Sequence, residues 1–209
     1  MTEQDQQIYT ICGKVLPPEE AGQIHVLQDI IRQLSADKLR CQTGDARLDL
    51  DTQIEGDQSI LGHWLSMILI SGRRIKITFK VHFNTAQGQE IILKKVPVAR
   101  PQKIEKHFIF DRLKEFCNLT AGSIKECLGA ENSKTGLSLP VITRGFDEVI
   151  FFDSAHKSGK GKIRDVWALR ASDFAVHCSS EIQVLDWNAL QDIRFIRRDS
   201  DQQGDLEFL

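Results

Sequence analysis

The chain has 209 residues, of which 41% are hydrophobic and 27% are charged, and its formal net charge is −2. A chain of this length can bury one adequate core without disulfides, and the near balance of charge argues against a protein that coats nucleic acid or an anionic membrane. The longest apolar run, Trp64 to Ile70, is far shorter than the roughly 20 residues of a membrane span, and the acidic, polar start predicts no signal peptide. We therefore expect a cytoplasmic protein.

The cysteines and histidines do not indicate a reactive or metal-binding site. The five cysteines include no Cys-x-x-Cys pair, which favours buried structural thiols over a redox or nucleophilic role. The six histidines are scattered, and none is paired at helical spacing, which argues against a histidine metal site on a helix. The sequence therefore predicts no metal site and no cofactor bound by this chain.

A first helix is predicted to open at Pro17-Pro18-Glu19-Glu20, because proline is tolerated in a first turn and acidic residues suit a helix N-terminus. Apolar residues then recur at helical spacing on one face: Ile24, Leu27, Ile31 and Leu34. The polar remainder of this helix includes Gln28, Arg32 and Gln33. The stretch from Cys41 to Asp57 is predicted to be mainly loop, with a short strand near Leu48 and Leu50.

A β-hairpin is predicted next, because the apolar run from Trp64 to Ile70 is followed by Gly72 and then by a strict alternation of apolar and polar residues. The apolar set, expected to face the core, is Ile75, Ile77, Phe79, Val81 and Phe83. The polar set, expected to face solvent, is Lys76, Thr78, Lys80 and His82.

Residues 84–97 leave two alternatives open: a strand over Gln89 to Val96, or a short helix capped by Asn84-Thr85. A second long helical pattern runs from about Gln102 to Leu128. Further strands are predicted at Leu137 to Thr143, Glu148 to Phe152, Val166 to Leu169 and Phe174 to Cys178. We expect an α/β protein of the α+β type, with helices packed on an antiparallel-rich sheet.

The second long helix carries the most informative pattern. At about 100° per residue, one side is apolar and the other carries Asp111, Glu115, Asn118, Leu119, Gly122 and Glu126. Glu115 and Asn118 are three residues apart, so their side chains are neighbours on the helix surface. Gly122 lies on the same stripe, and because an interior helical glycine costs about 1 kcal/mol relative to alanine, we expect close approach by another backbone, either from this domain or from a partner. A solvated helix face is the alternative interpretation of Glu115 and Asn118.

The pattern Glu115-x-x-Asn118-x-Thr-Ala-Gly122, followed by Leu139-Pro-Val-Ile-x-x-Gly145, resembles the CheC/CheX/FliY family of chemotaxis phosphatases. A single Glu-x-x-Asn helix is more similar to the CheX branch than to branches with two such helices. The resemblance implies a CheX-like domain at 61–178, an N-terminal extension at 1–60 whose amphipathic helix packs on the core, and a C-terminal extension at 179–209.

The family hydrolyses the aspartyl-phosphate of a CheY-type receiver domain. The resemblance implies that Glu115 and Asn118 are catalytic, with Asn118 positioning water and Glu115 pairing with the receiver's lysine, and that Leu119 and Gly122 contact the partner. The Mg²⁺ would come from the receiver. Single-helix members commonly pair through sheet edges, which implies a homodimer. The alternative is a non-catalytic binding module of the same fold that docks a signalling partner.

Overall fold

The structure, a computed structural model, describes residues 10–11, 14–15, 18–53, 63–94, 104–128, 134–145, 162–190 and 193. These residues form helices α1 Pro18–Thr43, α2 Thr85–Leu93 and α3 Lys106–Cys127. The first strands are β1 Thr10–Ile11, β2 Lys14–Val15, β3 Asp49–Asp51, β4 Trp64–Ser71 and β5 Ile75–Phe83. The later ones are β6 Gly136–Leu137, β7 Val141–Arg144, β8 Lys162–Arg170 and β9 Ala175–Val184, followed by a 3₁₀ helix at Trp187–Leu190.

Seven of these strands form one sheet in the order β3-β8-β9-β5-β4-β6, with β7 also paired to β4. Each described strand pair in this sheet is antiparallel. The predicted hairpin is β4–β5, and its turn is closed by the Gly72 N–H, which donates to the Ile75 carbonyl at 2.9 Å. The predicted class, helices packed on an antiparallel-rich sheet, is confirmed.

The helices cover one face of the sheet and form the core with it. The alternating apolar side chains of β5 are all fully buried. Phe79, at the centre, has its ring centroid 5.9 Å from that of Phe116 on α3 and 6.1 Å from that of Trp167 on β8. Aromatic pairs at such distances stabilise a core beyond the area they bury. Helices α1 and α3 also contact each other above the sheet.

The opposite face of the sheet is less exposed than the alternation predicts. His82 was expected to face solvent, but its relative exposure is 1%. In the sheet it lies opposite Leu65 on β4 and His177 on β9, whereas Lys76, on the same face of β5, stays exposed. Its Nε2 also lies 3.4 Å from the Ser179 hydroxyl. Alternation identifies which face a residue occupies, but neighbouring strands decide its burial.

Helix α1 is longer than expected and is part of the core. Its four predicted apolar residues are buried, and so is Gln28, which the pattern had placed on the polar side. The prediction of loop from Cys41 is wrong for the last helical turn, since α1 continues to Thr43. Thr43 Oγ1 donates to the Leu39 carbonyl at 2.8 Å, which stabilises this turn.

A buried ion pair joins α1 to the sheet. The Arg32 guanidinium donates to both carboxylate oxygens of Asp165 on β8, at 2.8 and 2.5 Å. Burial lowers the pKa of Arg32, but the hydrogen bond and charge of Asp165 outweigh it and leave the pKa above its ordinary value. One turn away, Trp167 Nε1 donates to the Ser35 hydroxyl at 3.0 Å.

Residues 84–94 adopt the helical alternative. Asn84 caps α2 through a capping box, in which Asn84 and Gln87 exchange side-chain to backbone hydrogen bonds of 2.9 and 2.8 Å. Gly88 allows this helix to approach α3 closely, because a Cβ on Gly88 would overlap the Ile109 side chain. The close approach that a helical glycine indicates therefore occurs here.

The sheet includes residues on both sides of the range 61–178 that was predicted as the CheX-like domain. Strand β3 pairs with β8, and β9 runs through residue 178 to Val184. Ala189 and Leu190 of the 3₁₀ helix belong to the same buried cluster as α1. The predicted strand at Leu137 to Thr143 is divided into β6 and β7, and the one predicted at Glu148 to Phe152 lies outside the described residues.

Candidate functional site

Helix α3 presents one buried side and one exposed side, as its periodicity predicts. The buried side is Ile109, Leu113, Phe116, Cys117, Thr120, Ala121, Ile124 and Cys127. At its first turn, Lys106 Nζ lies 3.7 Å from the ring centroid of Trp64, a cation–π contact that ties the start of the helix to β4. The helix is therefore fixed to the sheet along its length.

The two residues between Glu115 and Asn118 point into the core. Phe116 is fully buried against Phe79, and Cys117 Sγ donates to the Ser66 hydroxyl at 3.2 Å. Burial raises the pKa of Cys117 to about 12, so this thiol stays protonated and unreactive at neutral pH. Bulky residues at these two positions leave the exposed side unobstructed.

Cysteines elsewhere follow the prediction in part. Cys127 and Cys178 are buried like Cys117, and burial likewise raises the pKa of Cys178. Cys41, near the end of α1, is exposed, which differs from the prediction of a buried thiol. Cys12 lies outside the described residues.

All four predicted site residues lie on the exposed side of α3. The Glu115 side chain is 52% exposed, Asn118 is exposed, and Leu119 has a relative exposure of 41%. Gly122 follows one turn later, and a Cβ added there would have no atom within 4 Å. Residues spaced i, i+3, i+4 and i+7 share one strip of a helix. The structure therefore brings a carboxylate, an amide, an apolar side chain and an open position onto one accessible surface, which we call the motif face.

The sequence predicted that a backbone approaches Gly122 closely, either from this domain or from a partner. Among the described residues, no other backbone of this chain approaches it. The prediction of close approach by a backbone of this domain is therefore wrong for the described residues. Close approach by a partner stays a prediction.

Arg112 is a residue of the site that the motif did not identify. Its Nη1 donates to Glu115 Oε2 at 2.9 Å, and its Nη2 donates to the Gln42 carbonyl in the last turn of α1, also at 2.9 Å. The i, i+3 spacing of Arg112 and Glu115 was a signal for the first bond. The second joins residues 70 positions apart and has no local signal.

Strand β7, which contains the second half of the Glu-x-x-Asn and Leu-Pro-Val-Ile pattern, belongs to the sheet and lies against α3. Strand β7 begins directly after Pro140 and pairs with β4, with Val141 opposite Met67 and Arg144 opposite Trp64. It ends before Gly145, whose N–H donates to the His63 carbonyl at 3.1 Å. Helix α3 and β7 are in contact.

The chemistry available on the motif face is that of positioning and docking. Within the described part of the chain, no group of three or more His, Cys, Asp or Glu side chains could hold a metal ion. An amide can both accept a hydrogen bond from water and donate one without changing protonation. A half-exposed carboxylate can pair with a cation brought by a partner.

No protein-family model matches the sequence, and a search of curated proteins finds no match. Among the described helices, none combines the length and the apolar character of a membrane-spanning segment.

Several solved structures have a similar fold. CheX from Vibrio vulnificus superposes with a TM-score of 0.55 and 15% identity, over 76% of this chain and 99% of that chain. A chain of the CheX–CheY–BeF₃–Mg²⁺ complex from Borrelia burgdorferi gives a TM-score of 0.53 and 13% identity, over 74% and 96%. A chain of the FliG–FliM complex from H. pylori gives 0.53 and 11%, over 84% and 98%. At these identities the likeness establishes the fold, and the chain has the fold of the CheX-type chemotaxis proteins.

Proposed function

We propose that this protein is a phosphatase that removes the phosphoryl group from the aspartyl-phosphate of a CheY-type receiver domain. The observation that carries the proposal is that Glu115 and Asn118 stand together on an accessible face of α3 within a CheX-like fold. A structure of that fold has been solved in a complex of CheX with CheY, BeF₃ and Mg²⁺. The partner proposed for this chain is of the same class.

The proposed reaction needs few catalytic groups from this chain. An acyl phosphate is already reactive, and the Mg²⁺ bound by the receiver neutralises charge on the phosphoryl oxygens. Asn118 holds a water in line with the breaking P–O bond, accepting from the water through its carbonyl oxygen or donating through its amide nitrogen. Its contribution is orientation, which raises the local concentration of a correctly placed nucleophile.

Glu115 and its neighbours provide docking. The half-exposed carboxylate pairs with the receiver's lysine, which sets the register between the two proteins. Leu119 supplies an apolar contact, and the space at Gly122 admits the partner's backbone. Binding of the receiver also excludes bulk water from the amide of Asn118, so that the positioned water is the one that reacts.

The experiment follows phosphate release from phosphorylated CheY-type receivers with Mg²⁺, with and without this protein. We expect the wild type to accelerate release and Asn118→Ala to lose about 100-fold of that acceleration. The control is Asn188→Ala, an exposed asparagine of the 3₁₀ helix, which keeps the wild-type rate. If the wild type and Asn118→Ala leave the rate equally unchanged with several receivers, the phosphatase proposal is refuted.

The second candidate is a non-catalytic docking module. A chain of the FliG–FliM complex has the same fold, so a chain of this fold also occurs in a complex between two proteins. The two candidates differ in one result: a docking module binds the BeF₃-activated receiver through Glu115 and Leu119 but leaves the rate of dephosphorylation unchanged.

We also propose that two copies pair through the β6–β7 edge of the sheet. Leu139 is 84% exposed and Val141 is 55% exposed, and among the described residues β6 and β7 each pair only with β4. An edge strand leaves backbone N–H and C=O groups unpaired, and exposed apolar side chains beside it offer apolar area to a second strand. Light scattering on wild type and Leu139→Lys tests the proposal: a monomeric wild type contradicts it.

The cytoplasm is the proposed site of action, consistent with buried free thiols.

A further inference from the structure

We propose that Arg112 is a positioning residue that holds the Glu115 carboxylate ready for the partner and links the motif face to the C-terminus of α1. This inference rests on the phosphatase proposed above. It concerns a residue outside the Glu-x-x-Asn pattern, and the contacts on both sides of its guanidinium carry it.

The first contact fixes the carboxylate. Arg112 Nη1 lies 2.9 Å from Glu115 Oε2, and the Arg112 side chain is only 23% exposed, whereas that of Glu115 is 52% exposed. An exposed pair of this spacing normally contributes little, because both long side chains must be ordered to form it. Here the guanidinium is already ordered by a second bond, so Glu115 has a preformed donor.

The second contact supplies that order. Arg112 Nη2 donates to the Gln42 carbonyl at 2.9 Å. This carbonyl belongs to the last turn of α1, where carbonyls lack intrahelical partners and carry the negative end of the helix dipole. A guanidinium is suited to this position because its separate N–H groups point in fixed directions and can bond two acceptors at once. The end of α1 therefore holds Arg112, and Arg112 holds Glu115.

As a consequence, one oxygen of the Glu115 carboxylate accepts a hydrogen bond from Arg112 while the side chain stays half exposed at the motif face. A partner's lysine then meets a side chain that has already lost much of its rotational freedom, which lowers the entropic cost of docking. Loss of Arg112 should weaken docking more than it slows the chemical step at Asn118.

The test is a double-mutant cycle on dephosphorylation of a phosphorylated receiver, with the receiver concentration varied. We expect Arg112→Met, which keeps the apolar stem, to raise the half-saturating receiver concentration about 3- to 5-fold with kcat nearly unchanged. In a Glu115→Ala background, Arg112→Met should cause no further increase, because no carboxylate is left to position.

Arg40→Met is the matched control. Arg40 also donates to an acidic side chain three residues away, Asp37, and to a backbone carbonyl, that of Leu48, but not to Glu115. Both arginine variants should lower the melting temperature, and Arg40→Met should leave the half-saturating concentration unchanged.

Each remaining outcome decides the matter. An Arg112→Met protein with the wild-type half-saturating concentration overturns the inference, and so does a loss that persists in the Glu115→Ala background, which would make Arg112 a cap of α1 and nothing more. A wild-type protein that does not accelerate dephosphorylation refutes the proposed function itself, and the inference with it.

Discussion

Replacing Gly122 by alanine separates the stability of α3 from the docking of a partner. Gly122 lies inside the helix, five residues before its last residue, Cys127. An added Cβ would meet no atom within 4 Å, so the substitution introduces no clash within the described residues. Alanine is therefore free to express its full helix propensity at this position.

The expected size of the effect follows from that openness. A glycine in a helix interior is less favourable than alanine by about 0.8–1.0 kcal/mol. The free energy of unfolding should therefore rise by about 1 kcal/mol, and for a chain of this size the melting temperature should rise by about 2–4 °C. If a partner's backbone packs on Gly122, the same methyl group weakens docking, and dephosphorylation at low receiver concentration should slow.

Two measurements, urea denaturation and the rate of dephosphorylation, check the two halves of this prediction. The control is Gly22→Ala in α1, because a Cβ there also meets no atom within 4 Å. It should stabilise the fold by a similar amount without changing the rate. A destabilised Gly122→Ala protein would contradict the open geometry. A stabilised protein with an unchanged half-saturating receiver concentration would refute the idea that this glycine accommodates a partner.

Three further predictions concern the core. Gly88→Ala should have the opposite sign to Gly122→Ala, lowering the free energy of unfolding by about 1–3 kcal/mol in urea denaturation, because its methyl group would overlap Ile109. Arg32→Met should cost about 3 kcal/mol in the same assay, since it leaves the carboxylate of Asp165, 6% exposed, without its cation. Cys117 should remain unmodified by a thiol reagent in the native protein at pH 8 and react after unfolding. Because burial raises its pKa to about 12 in the fold, its contribution to stability is complete below the ordinary pKa of a thiol and is lost as pH rises toward 12, which urea titrations across that range would detect.

The sequence predicted the motif face well because the face depends on one local quantity, the angular position of residues along a helix. Glu115 and Asn118 are exposed and Cys117 is buried for the same reason: a period of 3.6 places them on different sides. The hairpin was predictable on similar grounds, from a period of 2 and a glycine turn.

The features that the sequence did not predict depend on contacts between distant parts of the chain. His82 is buried, and its Nε2 lies 3.4 Å from the hydroxyl of Ser179, 97 positions away in the chain. The bond between Arg112 and the Gln42 carbonyl depends on where α1 ends relative to α3. Glycines illustrate both cases: Gly88 and Gly122 look alike in sequence, yet one packs against a neighbouring helix and the other faces open space.

Helix α1 lies outside the motif pattern but belongs to the core that supports it. Seven apolar residues of α1 are buried, and because a fully buried Ile or Leu contributes about 1.5–3 kcal/mol, their sum is on the order of 10 kcal/mol. Because these side chains share one buried cluster with α3, and the two helices are in contact, α1 is part of the structure that holds α3 in place. The same helix, through the Gln42 carbonyl, anchors the arginine that orients Glu115. A segment outside the recognised pattern thus supports both the fold and the proposed chemistry.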